Sequence, residues 1–135
     1  RSVCSVPLVA DEAVSSAEEA AEAVRLSACD AVTVKLSKTG SLDATLGGHL
    51  PTYLSSALDG PVGIATAAHV PRTLPATGSS TDLAHGLTHG LATSRLFSAT
   101  VAREEPRLDG PLLLCPEGPG LGVEIDEQAL NRHRL

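Results

Sequence analysis

Aromatic side chains are nearly missing from this 135-residue chain, which has one Tyr, one Phe, no Trp and no Met. Its interior must therefore be built from Ala, Val, Leu and Ile, as in alanine-rich α/β proteins. No apolar run reaches the ~18 residues that a membrane-crossing helix needs. Nor does its start read as a secretory signal peptide. Basic charge is not in excess either: 10 Lys and Arg stand against 16 Asp and Glu, a net charge of −6 that disfavours nucleic acid as a partner. There is no C-x-x-C. Cys4, Cys29 and Cys115 are odd in number and widely spaced, and the expectation is three reduced thiols, buried as small hydrophobes in a cytoplasmic protein. Low-complexity segments are absent, and the near-duplication "HGL-THGL" is too short for a repeat architecture.

What is present fits one folded domain: 42% hydrophobic and 19% charged residues. The chain opens on Arg1, in residues that already read as a strand, so a piece of a longer protein is expected. Val3–Glu12, "VCSVPLVADE", is a short apolar run ending in two acids, suited to a buried parallel strand. Ser16–Ser27 reads as a helix, with Ser16 and Glu19 as a capping box and Ala20, Ala21, Val24 and Leu26 as its apolar side. Ala31–Leu36, "AVTVKL", is the next strand. Ser41–Leu50 reads as a short helix weakened by Gly47-Gly48, and Pro51–Leu58 as a third strand. Pro61–Leu74 starts a helix on proline, and Pro71 must end or kink it. Leu83–Ala92 holds a fourth strand candidate, followed by a short helix in "TSRLFSATVA". The tail reads as two extended pieces around a Gly/Pro turn, then a final helical turn or two.

Strands and helices alternate about every 20–25 residues, the pattern of βα units on a parallel sheet. In such folds functional groups gather where strands end. Asp11 and Glu12 close the first strand, Lys35 and Lys38 the second, and Ser55, Ser56 and Asp59 the third. Alternation puts Thr33 and Lys35 on the face opposite Val32, Val34 and Leu36. A buried lysine of lowered pKa can act as a base, and a carboxylate such as Asp11 can hold a hard cation, Mg²⁺. Blander readings stand beside these. A strand-end lysine is commonly solvated or salt-bridged, and Asp-Glu before a helix commonly complements its dipole. His85 and His89 have i,i+4 spacing, but Gly86 and Gly90 argue against a zinc-binding helix. "GPGLG" lacks the Lys-Ser/Thr of a P-loop and reads as a tight turn.

Taken in order, "VPLVADEAV", "VKLSKTGS", "YLSSALDGPVGIATAAH", "HGLATSRLF" and "GPGLGVEIDEQAL" resemble the C-terminal half of the enolase superfamily, muconate-lactonising subgroup. The resemblance covers nearly the whole chain. It implies the C-terminal half of a (β/α)₈ barrel: residues 1–110 as a partial barrel domain of about four βα units, and 111–135 as a tail packing back. It also implies Mg²⁺, a small-molecule carboxylate substrate, and chemistry that removes a proton α to a carboxylate and stabilises the enediolate. Asp11 matches a metal-ligand position and Glu12 the acid beside it. Lys35 matches the lysine on the sixth barrel strand, and Lys38 the supporting lysine of the K-x-x-K form. Asp59 sits where many members have Glu. Within the subgroup, "SSALD", "VGIA" and "HGLATSRLF" look most like the o-succinylbenzoate synthases of menaquinone biosynthesis, which dehydrate their substrate. Dipeptide epimerases and muconate cycloisomerases share the "KLSKTG" wording and stay open, as does a non-catalytic βα binding domain. The family's other lysine strand, two further metal carboxylates and its capping domain do not occur in these residues, so the 135-residue chain by itself is expected neither to bind Mg²⁺ tightly nor to turn over substrate.

Overall fold

Four consecutive buried residues, Ala31–Val34, form the middle strand (β2) of a three-stranded parallel sheet. Covered on both faces, they read as an unbroken run of alanine and three β-branched residues, as suits a central parallel strand. The structure is a computed structural model that describes residues 5–40, 50–72 and 88–134. The other two strands are Val9–Ala10 (β1) and Thr52–Leu54 (β3), in spatial order β1-β2-β3. Val9 and Ala10 pair with Ala31 and Val32, and Val32, Thr33 and Val34 pair with Thr52, Tyr53 and Leu54. The first strand is much shorter than Val3–Glu12. Pro7 lacks a backbone donor, and the Leu8 N–H is taken by the Asp30 carboxylate at 2.9 Å, so pairing starts only at Val9.

Between β1 and β2 runs a helix, Ala17–Arg25 (α1). Ser16 caps it, its Oγ accepting the Glu19 N–H at 3.2 Å. The Glu19 carboxylate reaches back one residue further than a capping box requires, to the Ser15 N–H and Oγ, both at 2.7 Å. These bonds hold its pKa below the usual carboxylate value. Of the four residues expected on its apolar side only Ala20 is buried, while Ala21, Val24 and Leu26 are exposed. At about 100° per residue Ala21 and Leu26 fall on opposite flanks of Ala20, so one narrow stripe cannot bury them all.

After β2 the chain makes a single helical turn, Leu36–Thr39 (α2), with Lys35 as its N-cap residue. Gly40, at φ 65°, closes it by donating its N–H to the Leu36 carbonyl at 2.9 Å. The strand expected through Leu36 therefore stops at Val34, and Lys35 stands one residue past its end. The helix expected over Ser41–Leu50 lies outside the described residues, apart from Leu50.

The described residues fall into two compact units, one within Arg1–Ser55 and Leu74–Gly90, the other within Ser56–Thr73 and Leu91–Leu135. The second unit opens with Pro61–His69 (α3), proline at its start, burying Pro61, Ile64, Ala65 and Ala67. A 3₁₀ turn, Val70–Arg72, replaces the α-helix where Pro71 removes a donor. Thr93–Leu96 is likewise a 3₁₀ turn. Two antiparallel ribbons follow: Ala102–Glu104 (β4) with Glu124–Ile125 (β7), and Leu108–Asp109 (β5) with Leu112–Leu113 (β6). The final helix, Glu127–Arg132 (α4), is capped by Asp126, whose Oδ1 accepts the Gln128 and Ala129 N–H groups at 2.9 and 3.0 Å. Of the fourth strand candidate, Leu83–Ala92, residues 83–87 lie outside the described residues, and the remainder makes one parallel bridge, Ser55 to Gly90. Among the described residues no helix is long and apolar enough to cross a membrane. Cys29 is buried as expected, Cys115 only half-buried, and Cys4 lies outside the described residues.

Candidate functional site

The ends of β1 and β2 bring two acids and two lysines together. Asp11 and Glu12 leave the sheet directly after β1, while Lys35 is the N-cap residue of the turn α2 and Lys38 lies within it, and both lysines reach the same acid. The Lys35 ammonium donates to Asp11 Oδ1 and to Glu12 Oε1, the latter at 2.8 Å. Lys38 Nζ donates to the same Glu12 oxygen at 3.0 Å. The Lys35 side chain is 11% exposed against 52% for Asp11 and 59% for Glu12, so the lysine is sunk between its partners and the sheet.

These contacts set the charges. Hydrogen bonds from Lys35, then Lys38, pull the Glu12 pKa down to about 2. For Lys35, burial is the largest influence and favours the neutral amine, but the bonds to Asp11 and Glu12 together outweigh it and raise the pKa. Lys35 is thus a fixed cation here, not the lowered-pKa base that burial alone would make. Thr33 lines the same pocket as the four charged residues. The pocket holds about 10 Å³, no more than one water, because the lysines and acids close on each other.

Ser55 adjoins this group through the sheet: its Oγ accepts the Thr33 hydroxyl at 2.9 Å. Beside it, His89 Nδ1 accepts the Leu54 N–H at 3.0 Å, and burial lowers the pKa of the ring, favouring the neutral form. His85 lies outside the described residues. His89 serves the backbone where β3 would otherwise lose a partner, a role invisible to the i,i+4 test.

Ser56 and Asp59 belong to the other unit and make a turn of their own. Ser56 Oγ accepts the Asp59 N–H at 2.7 Å and lies 2.6 Å from Thr93 Oγ1. The Asp59 carboxylate accepts the Ala57 N–H at 3.1 Å. Thr93 was not singled out by sequence reasoning, since nothing local marks a threonine 37 residues away as the partner of Ser56. The turn leaves no room beside Asp59: a Cβ at position 63 would sit 2.8 Å from Asp59 Cβ. Gly63→Ala is therefore expected to destabilise the chain by about 1–3 kcal/mol, despite alanine's better helix propensity. A lower urea midpoint would show it, and an unchanged or higher one would mean the Asp59 turn yields freely.

A family model, Enolase C-terminal domain-like, matches residues 1–129. The chain belongs to that family. It is 30% identical over 132 residues to muconate cycloisomerase 1 of Rhodococcus opacus, covering 93% of this chain and 33% of that protein. It is 36% identical over 111 residues to the o-succinylbenzoate synthase of Mycobacterium ulcerans, covering 79% and 32%. The structure of 2-chloromuconate cycloisomerase from Rhodococcus opacus 1CP superposes with a TM-score of 0.81 at 26% identity, over 98% of this chain and 36% of that one. This enolase-family chain thus spans about a third of the length of the curated relatives it matches.

Proposed function

We propose that this chain carries part of the active site of an enolase-superfamily enzyme, in which Lys35 stabilises as a cation the enediolate formed when a proton α to a carboxylate is removed. The observation that carries the proposal is the Lys35 ammonium, sunk at the end of β2 and held charged by Asp11 and Glu12. Charge that is pre-oriented and desolvated stabilises a developing anion more than it stabilises the neutral ground state. Since the pocket is closed by the lysine–acid pairs, a substrate carboxylate enters by replacing Asp11 and Glu12 on Lys35, exchanging anions around one cation. Lys38 keeps Glu12 in place during that exchange. Ser55 supports the strand end through Thr33, and Ser56 and Asp59 hold the turn after β3. The fold in this reading is the C-terminal half of a (β/α)₈ barrel.

Mg²⁺ is the metal of this reading, supplying positive charge at the substrate carboxylate when bound. Asp11, a hard oxygen donor, would be one ligand. Among the described residues no three His, Cys, Asp or Glu side chains converge as a metal site. These residues alone therefore do not fit a tight Mg²⁺ site, and no step above depends on the ion.

The reaction we assign is dehydration, as in o-succinylbenzoate synthases, supported by the 36% identity to the Mycobacterium ulcerans enzyme. A cationic Lys35 suits that role better than the proton exchange required of an epimerase. Muconate cycloisomerase is the second reading, favoured by the longer match to the Rhodococcus opacus protein. Incubating the natural full-length protein in D₂O with each substrate class separates them. Loss of water without racemisation or solvent deuterium at a retained α-carbon supports the synthase. Racemisation with deuterium uptake means an epimerase, and lactone interconversion a cycloisomerase.

A further inference from the structure

The second unit holds a thiol–imidazole pair outside the site above. Cys115 Sγ lies 3.1 Å from His69 Nδ1, and His69 Nε2 lies 3.4 Å from the Leu121 carbonyl oxygen. A carbonyl only accepts, so Nε2 carries the ring proton and Nδ1 presents its lone pair to the thiol. This is the sequence of parts that activates a nucleophile: thiol, base, and a group that orients the base. His69 ends α3, and Cys115 follows the β5–β6 hairpin, where the Leu114 N–H donates to the Arg107 carbonyl at 2.8 Å. The hairpin thereby sets Arg107 and Cys115 on the wall of one open groove of about 1120 Å³. The wall also carries Glu104, Glu105 and Glu117, with Glu105 accepting from the Thr100 hydroxyl; Arg103 is paired with Glu124 at 2.6 Å, and Arg107 is the cation of this wall without an ion-pair partner among the described residues.

We propose that Cys115 is a reversible thiolation site for small disulfides bearing carboxylates, with His69 as its base and Arg107 as the cation that receives the carboxylate. His69 Nδ1 takes the thiol proton, and the Cys115 thiolate attacks one sulfur of the disulfide. The old S–S bond breaks, a Cys115 mixed disulfide forms, and the other half leaves as a thiolate that the imidazolium or solvent reprotonates. Cys115 is oxidised and one thiol is released, with no further oxidant. A groove of this size admits a tripeptide-sized partner.

The test treats the full chain at pH 7 with glutathione disulfide and, separately, with the uncharged hydroxyethyl disulfide, reading adducts peptide by peptide by mass spectrometry. Cys115 is expected to react about 3–10-fold faster than N-acetylcysteine under the same conditions. His69→Gln should slow it severalfold with both probes, and Arg107→Gln only with glutathione disulfide. A wild-type rate no higher than that of N-acetylcysteine overturns the proposal, whether or not His69→Gln folds. Equal rates in folded His69→Gln and wild type overturn it as well. Equal slowing of both probes by Arg107→Gln would remove Arg107 from it.

Discussion

Lys35→Ala is expected to lower turnover of the natural full-length protein by about 10²–10³-fold, the usual cost of removing one pre-oriented group that stabilises an oxyanion. The loss should fall on kcat more than on KM, because in the proposed reaction the ammonium matters most when charge develops at the α-carbon. A binding module would show near indifference. The same substitution has a second, purely electrostatic readout. It removes the first and strongest of the hydrogen bonds that hold Glu12 down, leaving Lys38 as its remaining ammonium partner. The Glu12 pKa should therefore climb from about 2 toward 4.5 without reaching it. The sign for stability follows. Glu12 is depressed in the folded chain, so its pairing stabilises fully above the unfolded value of 4.5 and loses that effect as pH falls toward 2. In Lys35→Ala most of this pH dependence should vanish. Glu12 is largely exposed, so solvent screens the pairing and its measure is the titration midpoint.

How much of this arrangement was legible depends on how local its cause is. The K-x-x-K spacing of Lys35 and Lys38 and the acids Asp11 and Glu12 stand in short contiguous words, and the sheet brings those words together as their order implied. The placement of Lys35 was one residue off because apolar alternation runs on through Leu36, whereas the backbone turns at Lys35 to form a helical turn that Gly40 closes. Alternation reports faces, and it is blind to where a ladder of hydrogen bonds stops. The charge state of Lys35 was harder still. Burial and two carboxylates push its pKa in opposite directions, and which prevails depends on distances that no spacing encodes. Partners far apart in the chain were not legible at all: His69 and Cys115 are 46 residues apart, and Ser56 and Thr93 are 37 apart.

Leu54→Ala should be the most damaging single truncation in the sheet, costing about 2–5 kcal/mol. Leu54 is fully buried and among the largest side chains so enclosed, in a core that has almost no aromatic residues to fill a gap. It ends β3 opposite Val34, its N–H bonded to His89 and its carbonyl to the Gly90 N–H at 2.8 Å. A cavity there removes packing under the residue that precedes Lys35 and under the strand end that carries Ser55. Against a typical total stability of about 5–15 kcal/mol this is a large share. Urea denaturation should show a much lower midpoint with little change in slope. Leu130→Ala, at a site 44% exposed, is the control and should stay within about 0.5–1 kcal/mol of wild type. Equal losses in the two variants would mean that the β2–β3 core does not carry the stability of the chain.

The site rests on one electrostatic assertion, that Lys35 is a cation locked between Asp11 and Glu12. NMR titration of the Glu12 side-chain carboxyl carbon in the 135-residue chain tests it directly. The account predicts a midpoint near 2, with the Lys35 ammonium still protonated above its usual 10.5. A Glu12 midpoint at the ordinary 4.5 would mean that the lysines do not hold it, and would contradict the account.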